Sequence, residues 1–187
     1  MTAPIFTVAN QLTLLRMFLI PAFVILVVYG RFGWALVTFM TAGLTDALDG
    51  YFARKAGQKT ALGEWLDPAA DKLLLVTTFI VLTLPDLGLV NRLPVWLTVL
   101  VISRDVGIVL TVAIVNLAIG PRTFRPSLLG KGATALFIFT CVVVMYFNYQ
   151  GYHSRIADAF IWLSAAITIA SGIDYIWRVA RIINQPS

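Results

Sequence analysis

Apolar positions run through this chain in long blocks broken by short polar stretches. The blocks are close to the roughly 20 residues an α-helix needs to cross a bilayer core. They predict six spanning helices: about Leu12 to Tyr29, Trp34 onward to a polar end holding Asp46 and Asp49, Trp65 to Leu84, Leu93 to Ile119, Leu128 to Phe147, and Ile156 to Val179. Asn10 or Thr7 is placed to cap the first, and Pro21 inside it predicts a kink. The polar interruptions DLGLVNR, GPRTFRPS and NYQGYHSR are too short to be linkers, and no repeat or low-complexity tract is visible. The pattern is that of one all-α integral membrane domain over residues 1–187.

Composition strengthens this picture. Of 187 residues, 59% are hydrophobic and only 12% charged, with a mean hydropathy of +0.87, whereas a soluble domain is about half apolar and about a quarter charged. The single cysteine, Cys141, excludes an internal disulfide, and its apolar setting makes it a packing residue. The opening MTAPIFTVANQ lacks the basic start and small-residue cleavage site of a signal peptide, so the first apolar segment is expected to be retained.

Lysine and arginine accumulate on the cytoplasmic side of membrane proteins. An internal N-terminus places Arg16, Arg54, Lys55, Lys59, Lys72, Arg122, Arg125, Lys131, Arg178 and Arg181 inside, against Arg31, Arg92 and Arg155 outside. The net charge of +5 then reports topology and attraction to anionic lipid, with no nucleic-acid partner expected.

Against this apolar background, residues 46–71 stand out. Asp46 and Asp49 are three apart and Asp67 and Asp71 four apart, so each pair projects from one face of its helix. The stretch between them, with Gly50, Ala53, Arg54, Lys55, Gly57, Lys59, Thr60 and Gly63, reads as a hairpin that turns the second and third helices toward each other. Four carboxylates between membrane helices cannot all stay ionised without opposite charge among them, and a divalent cation supplies it. The competing reading, ion pairs to Arg54, Lys55 and Lys72, is the weaker one, because charges in membrane segments are costly and usually mark function. Mg²⁺-type ions bind through carboxylates and substrate phosphates, which suggests phosphoryl-type transfer on a lipid-linked diphosphate at the cytoplasmic boundary. Gly50, with no Cβ, admits a nucleotide close to the helix, and Arg54 one turn on can neutralise a phosphate oxygen.

Other polar residues carry less. Arg104 and Asp105 are adjacent in the fourth helix and are expected to point apart, so Arg104 needs another partner: an acid on a neighbouring helix, or the phosphate of an anionic acceptor. Arg122, Arg125 and Lys131 either complete such an acceptor pocket or simply mark the cytoplasmic side. Asp174 and Arg178, four apart, predict an intrahelical pair, and His153 between Tyr149 and Tyr152 predicts an interfacial aromatic region.

Asp46-x-x-Asp49-Gly50-x-x-Ala53-Arg54, then eight residues, Gly63, three residues, Asp67, three residues and Asp71, resembles without a gap the signature of the CDP-alcohol phosphotransferases. NQLTLLR at 10–16 and LDPAADK at 66–72 are similar to further segments of that family. The resemblance implies six helices, a homodimer, and transfer of a phosphatidyl group from CDP-diacylglycerol to an acceptor hydroxyl with release of CMP, dependent on two Mg²⁺ or Mn²⁺ ions. Carried over position by position, it implies that Asp46, Asp49 and Asp67 hold one ion and Asp46, Asp67 and Asp71 the other, with Asp71 also the general base. Gly50, Arg54 and Thr60 would contact the cytidine diphosphate, Gly63 would let the loop fold over it, and Asn10 and Thr13 are further candidates for that pocket.

With Arg104, Arg122, Arg125 and Lys131 as acceptor-binding residues, the expected acceptor is anionic: glycerol-3-phosphate, giving phosphatidylglycerol phosphate, ahead of phosphatidylglycerol, giving cardiolipin. The Arg104–Asp105 pair and RPSLLGK look somewhat like the CMP-forming cardiolipin synthases. The alternative of another class is a non-catalytic scaffold that binds cations or lipid through the acidic cluster. The expected location is a bacterial inner membrane, with the site open to the cytoplasm.

Overall fold

Six α-helices follow one another in a computed structural model that describes residues 8–56, 61–119 and 127–183, with the side chains of 8–10, 46–56, 61–69, 118–119 and 182–183 excepted. They are α1 (Val8–Val28), α2 (Phe32–Ala56), α3 (Ala61–Thr83), α4 (Val95–Ile119), α5 (Leu128–Gln150) and α6 (Arg155–Ile183). No strand occurs among the described residues.

Among those residues four segments are long and apolar enough to cross a membrane: Gln11–Val28, Val95–Leu117, Leu128–Gln150 and Arg155–Arg181. In α2 the apolar run among the described residues is Phe32–Thr45. Large apolar side chains face outward along the spans, among them Phe18, Val109, Leu117, Trp162 and Ile176. In water that surface would drive aggregation; in a bilayer it meets lipid tails. The chain is an integral membrane protein.

Helix ends are set by local chemistry. After α1, Gly30 takes a φ of 68°, its N–H bonds to the carbonyl of Val27, and that of Arg31 reaches back to Leu26. This closing pattern satisfies carbonyls the helix would otherwise leave open. Gly151 ends α5 in the same left-handed region. Ser127 starts α5, its Oγ accepting from the N–H of Gly130 at 2.9 Å, and Ser154 starts α6, its Oγ accepting from Ile156. Pro21 does not interrupt α1, which runs unbroken through it. Its missing N–H removes one hydrogen bond of the helix ladder.

The chain divides into two compact units, Met1–Arg92 with Val144–His153, and Leu93–Val143 with Ser154–Ser187. In the first, α1 packs against α2 and α3. Phe23, Val27, Ala35, Phe39, Ala42, Phe79 and Leu82 are buried there, with the rings of Phe23 and Phe39 6.0 Å apart. The loop after α3 is tied to the end of α5 by Asn148: its Oδ1 accepts from the N–H of Asn91 at 2.9 Å and its Nδ2 donates to the Asn91 carbonyl at 2.8 Å. In the second unit α4 packs against α6, and the Tyr175 hydroxyl donates to the carbonyl of Ile108. Thr140 on α5 and Ser164 on α6 share a hydrogen bond of 2.7 Å. Cys141 is fully buried beside that contact in sequence, as a packing residue would be. Buried threonines such as Thr78 and Thr168 return their hydroxyls to carbonyls four residues back, so these hydroxyls are not left bare in an apolar setting.

Candidate functional site

The acidic positions fall on helix, as their spacing predicts, but the helices are longer than expected. Without an interior break α2 continues to Ala56, so Gly50, Ala53, Arg54 and Lys55 are helical and do not belong to a connecting turn. Similarly, α3 begins at Ala61, four residues before Trp65, which puts Gly63 inside the helix and not in a loop. Alanine and long straight side chains favour helix here, and glycine alone does not stop one. Asp46 and Asp49 therefore lie on one continuous helix and Asp67 and Asp71 on the next. The side chains of Asp46, Asp49, Arg54, Asp67 and Asn10 and the surroundings of Gly50 and Gly63 are outside the described set, as are Thr60, Arg122 and Arg125 altogether. Among the described residues no three His, Cys, Asp or Glu side chains come together.

Asp71 is the member of the tetrad whose surroundings are visible. Its side chain is half-exposed, and Arg16 Nη1 of α1 donates to its Oδ1. Arg16 itself has no solvent exposure and is the largest fully buried side chain of the chain's described part. It is thus a buried partner of an acidic residue. Sequence gave one signal for this, a cation in mid-helix among Leu14, Leu15, Met17 and Phe18. Thr13, one turn before Arg16, is also fully buried, while Lys72 beside Asp71 is exposed.

A second polar group lies in the other unit. Arg104 Nη1 donates to Asp105 Oδ1 at 2.7 Å, with both side chains about one-tenth exposed. Adjacent residues were expected to point apart; the reach of the arginine lets its guanidinium turn back to its neighbour. Arg104 Nε is buried and has no hydrogen-bond partner among the described residues. The same guanidinium lies against the first turn of α5: a Cβ placed on Gly130 would come 3.4 Å from Arg104 Nη2 and 3.2 Å from Ser127 Oγ. Arg104 is thus brought to the start of α5, where Lys131 is exposed next to Gly130. Ser127 and Gly130 escape sequence reasoning, because a cap and a close approach look like any loop-to-helix junction. Asp174 and Arg178 pair at 2.9 Å within α6, as expected.

Residues 6–170 match the family described as CDP-alcohol phosphatidyltransferase. Across 191 residues, 97% of this chain and 86% of the other, the sequence is 33% identical to a probable phosphatidylglycerophosphate synthase of Mycobacterium tuberculosis. It is 30% identical over 200 residues to the CDP-diacylglycerol–glycerol-3-phosphate 3-phosphatidyltransferase of Bacillus subtilis, covering 96% of this chain and all of that one. To a CMP-forming cardiolipin synthase of Streptomyces coelicolor it is 29% identical over 193 residues, 98% of this chain and 87% of the other.

Proposed function

Because the chain belongs to the CDP-alcohol phosphatidyltransferase family, we propose that it moves the phosphatidyl group of CDP-diacylglycerol onto the hydroxyl of glycerol-3-phosphate, giving phosphatidylglycerol phosphate and CMP. The single observation that carries this is the unbroken aspartate signature on two successive helices, in a chain similar along nearly its whole length to proteins named for that reaction.

The donor set suits a hard divalent ion: four carboxylates, one of them half-exposed and engaged by an arginine. Asp46, Asp49, Asp67 and Asp71 would hold two Mg²⁺ or Mn²⁺ ions. When bound, such ions supply neutralisation of diphosphate charge. The protein's own groups do the rest. Arg54 binds a phosphate oxygen of the nucleotide, and Gly50, Thr60 and Gly63, with Asn10 and Thr13 as outlying members, line the path of the cytidine diphosphate. Asp71 takes the proton from the acceptor hydroxyl as that oxygen bonds to the lipid-bearing phosphorus. The bond from that phosphorus to the bridging oxygen breaks, and CMP leaves with the electron pair. Arg16 holds the Asp71 carboxylate in one orientation through this step.

An anionic acceptor is supported by Arg104, whose buried Nε has a hydrogen bond left to give, and by the exposed Lys131 one residue from the glycine it packs against. Arg122 and Arg125 are assigned to the same role. The second reading, cardiolipin formation with phosphatidylglycerol as acceptor, is favoured by the similarity to the Streptomyces coelicolor protein. The enzyme is taken to work as a homodimer in a bacterial inner membrane, its site facing the cytoplasm.

Membranes holding the protein, given CDP-diacylglycerol and each labelled acceptor in turn, test the assignment. Label from glycerol-3-phosphate should enter lipid as CMP is released. Label entering only from phosphatidylglycerol would select the second reading, and incorporation of serine alone would overturn both.

A further inference from the structure

At the other end of α2 from the aspartates, a cavity of about 680 Å³ opens between the start of that helix and the last turns of α5. Arg31, Gly33, Trp34, Val37, Tyr146 and Tyr149 are among its walls. At Gly33 a Cβ would fall 2.8 Å from the Tyr149 ring, so the ring lies directly on the α2 backbone and the two form one wall of the cavity. From Gly33 to Asp46 is thirteen residues of continuous helix, about 20 Å, so the cavity belongs to the opposite membrane face and not to the acidic cluster.

The lining changes along the helix axis in a particular order. Arg31, exposed in the turn before α2, is the charged wall, and among the described residues no acidic side chain lines the cavity. The Tyr146 hydroxyl, which accepts from Gln150 Nε2 at 3.0 Å, adds a polar group. Below Arg31 the walls become indole and then aliphatic, with Trp34 and Val37 both more than half exposed. Arg31 to Val37 spans about 9 Å of rise, so a cation sits above an apolar trough that runs into the bilayer. A soluble anion would use the first half only, and an acyl chain alone would leave Arg31 unused. The volume is within the roughly 300–1,000 Å³ of small-molecule sites.

We propose that this cavity holds an anionic glycerophospholipid of the leaflet opposite the aspartate cluster, its phosphate at Arg31 and the upper part of one acyl chain along Trp34 and Val37. The site is separate from the transfer reaction and does not depend on which acceptor that reaction uses. One surface arginine attracts an anionic lipid by about 1 kcal/mol, which is about fivefold in affinity.

Native mass spectrometry of the intact protein, released from micelles doped with equal dioleoylphosphatidylserine and dioleoylphosphatidylcholine, tests this. Phosphatidylserine is anionic but is neither donor nor acceptor in the reaction above, so failure here leaves the functional assignment standing. One phosphatidylserine should be retained in preference to phosphatidylcholine. Arg31→Gln should lower that preference about fivefold, and Arg155→Gln, another exposed arginine, should leave it unchanged. Val37→Trp, which fills the trough without touching charge, should reduce retention of both lipids. Equal retention of the two lipids by the unmodified protein would overturn the proposal, as would an Arg31→Gln variant that keeps the preference or an Arg155→Gln variant that loses it equally. A change in subunit number with Val37→Trp, lipid retention being unaltered, would assign the cavity to a second copy of the chain instead.

Discussion

A guanidinium with no access to solvent persists in an apolar helix only if a carboxylate meets it, and for Arg16 that carboxylate is Asp71. Replacing Arg16 by methionine keeps most of the buried volume and removes the charge and donors. We expect Arg16→Met to lower stability in detergent by about 1–3 kcal/mol, less than a fully buried pair would cost because Asp71 is half-exposed. Thermal denaturation should show Arg16→Lys recovering part of the loss, since an ammonium restores charge but not the planar fork. Full stability of Arg16→Met would mean the pair carries no weight. The contact itself was not legible beforehand. Sequence spacing relates residues on one helix, and Arg16 and Asp71 are 55 positions apart on two. The same limit explains Arg104: the expectation that neighbours diverge treats side chains as short, and arginine is long enough to fold back to Asp105.

At the scale of helices, two kinds of polar contact join elements, and they differ in what they should contribute. Asn148 makes three hydrogen bonds, accepting from the N–H of Asn91 and donating to the carbonyls of Asn91 and Val144. Asn148→Ala takes these away at a buried position and should cost about 1–3 kcal/mol. The Thr140–Ser164 bond joins α5 to α6, but the Thr140 hydroxyl also has the backbone carbonyl of Leu136 within reach. Thr140→Val should therefore cost only about 0.6 kcal/mol, the typical value inside membranes. Equal losses for the two variants, measured by the same denaturation, would contradict the distinction. Helix existence and order were readable from apolar blocks, because a bilayer forces backbone groups to pair within each crossing segment. Helix ends near the acids were not. Asp46 follows Thr45 at the polar end of the apolar block, whereas α2 itself continues eleven residues beyond Thr45, to Ala56.

For the molecule as a whole, the arrangement of cations predicts which side of the membrane each turn occupies. Cys141 is the sole cysteine and is fully buried, so a Cys141→Ala background is silent to thiol reagents and single cysteines report position. With an internal N-terminus, Tyr152→Cys should react with an impermeant maleimide added outside, and Lys131→Cys only after the membrane is opened. The reverse pattern would invert the topology and place the acidic cluster outside. The aspartate signature was legible as a whole because its spacing survives on continuous helices. The meeting of Arg104, Ser127 and Gly130 across α4 and α5 was not, since it joins residues far apart in sequence. CMP release from CDP-diacylglycerol by the purified protein, followed while Mn²⁺ is titrated against a chelator, tests the central assignment most directly. Release should require the metal, and each of Asp46→Asn, Asp49→Asn, Asp67→Asn and Asp71→Asn should abolish it or lower it by about a hundredfold or more while helical content is kept. Metal-independent release, or normal release from any of the four variants, would contradict a shared carboxylate site on α2 and α3.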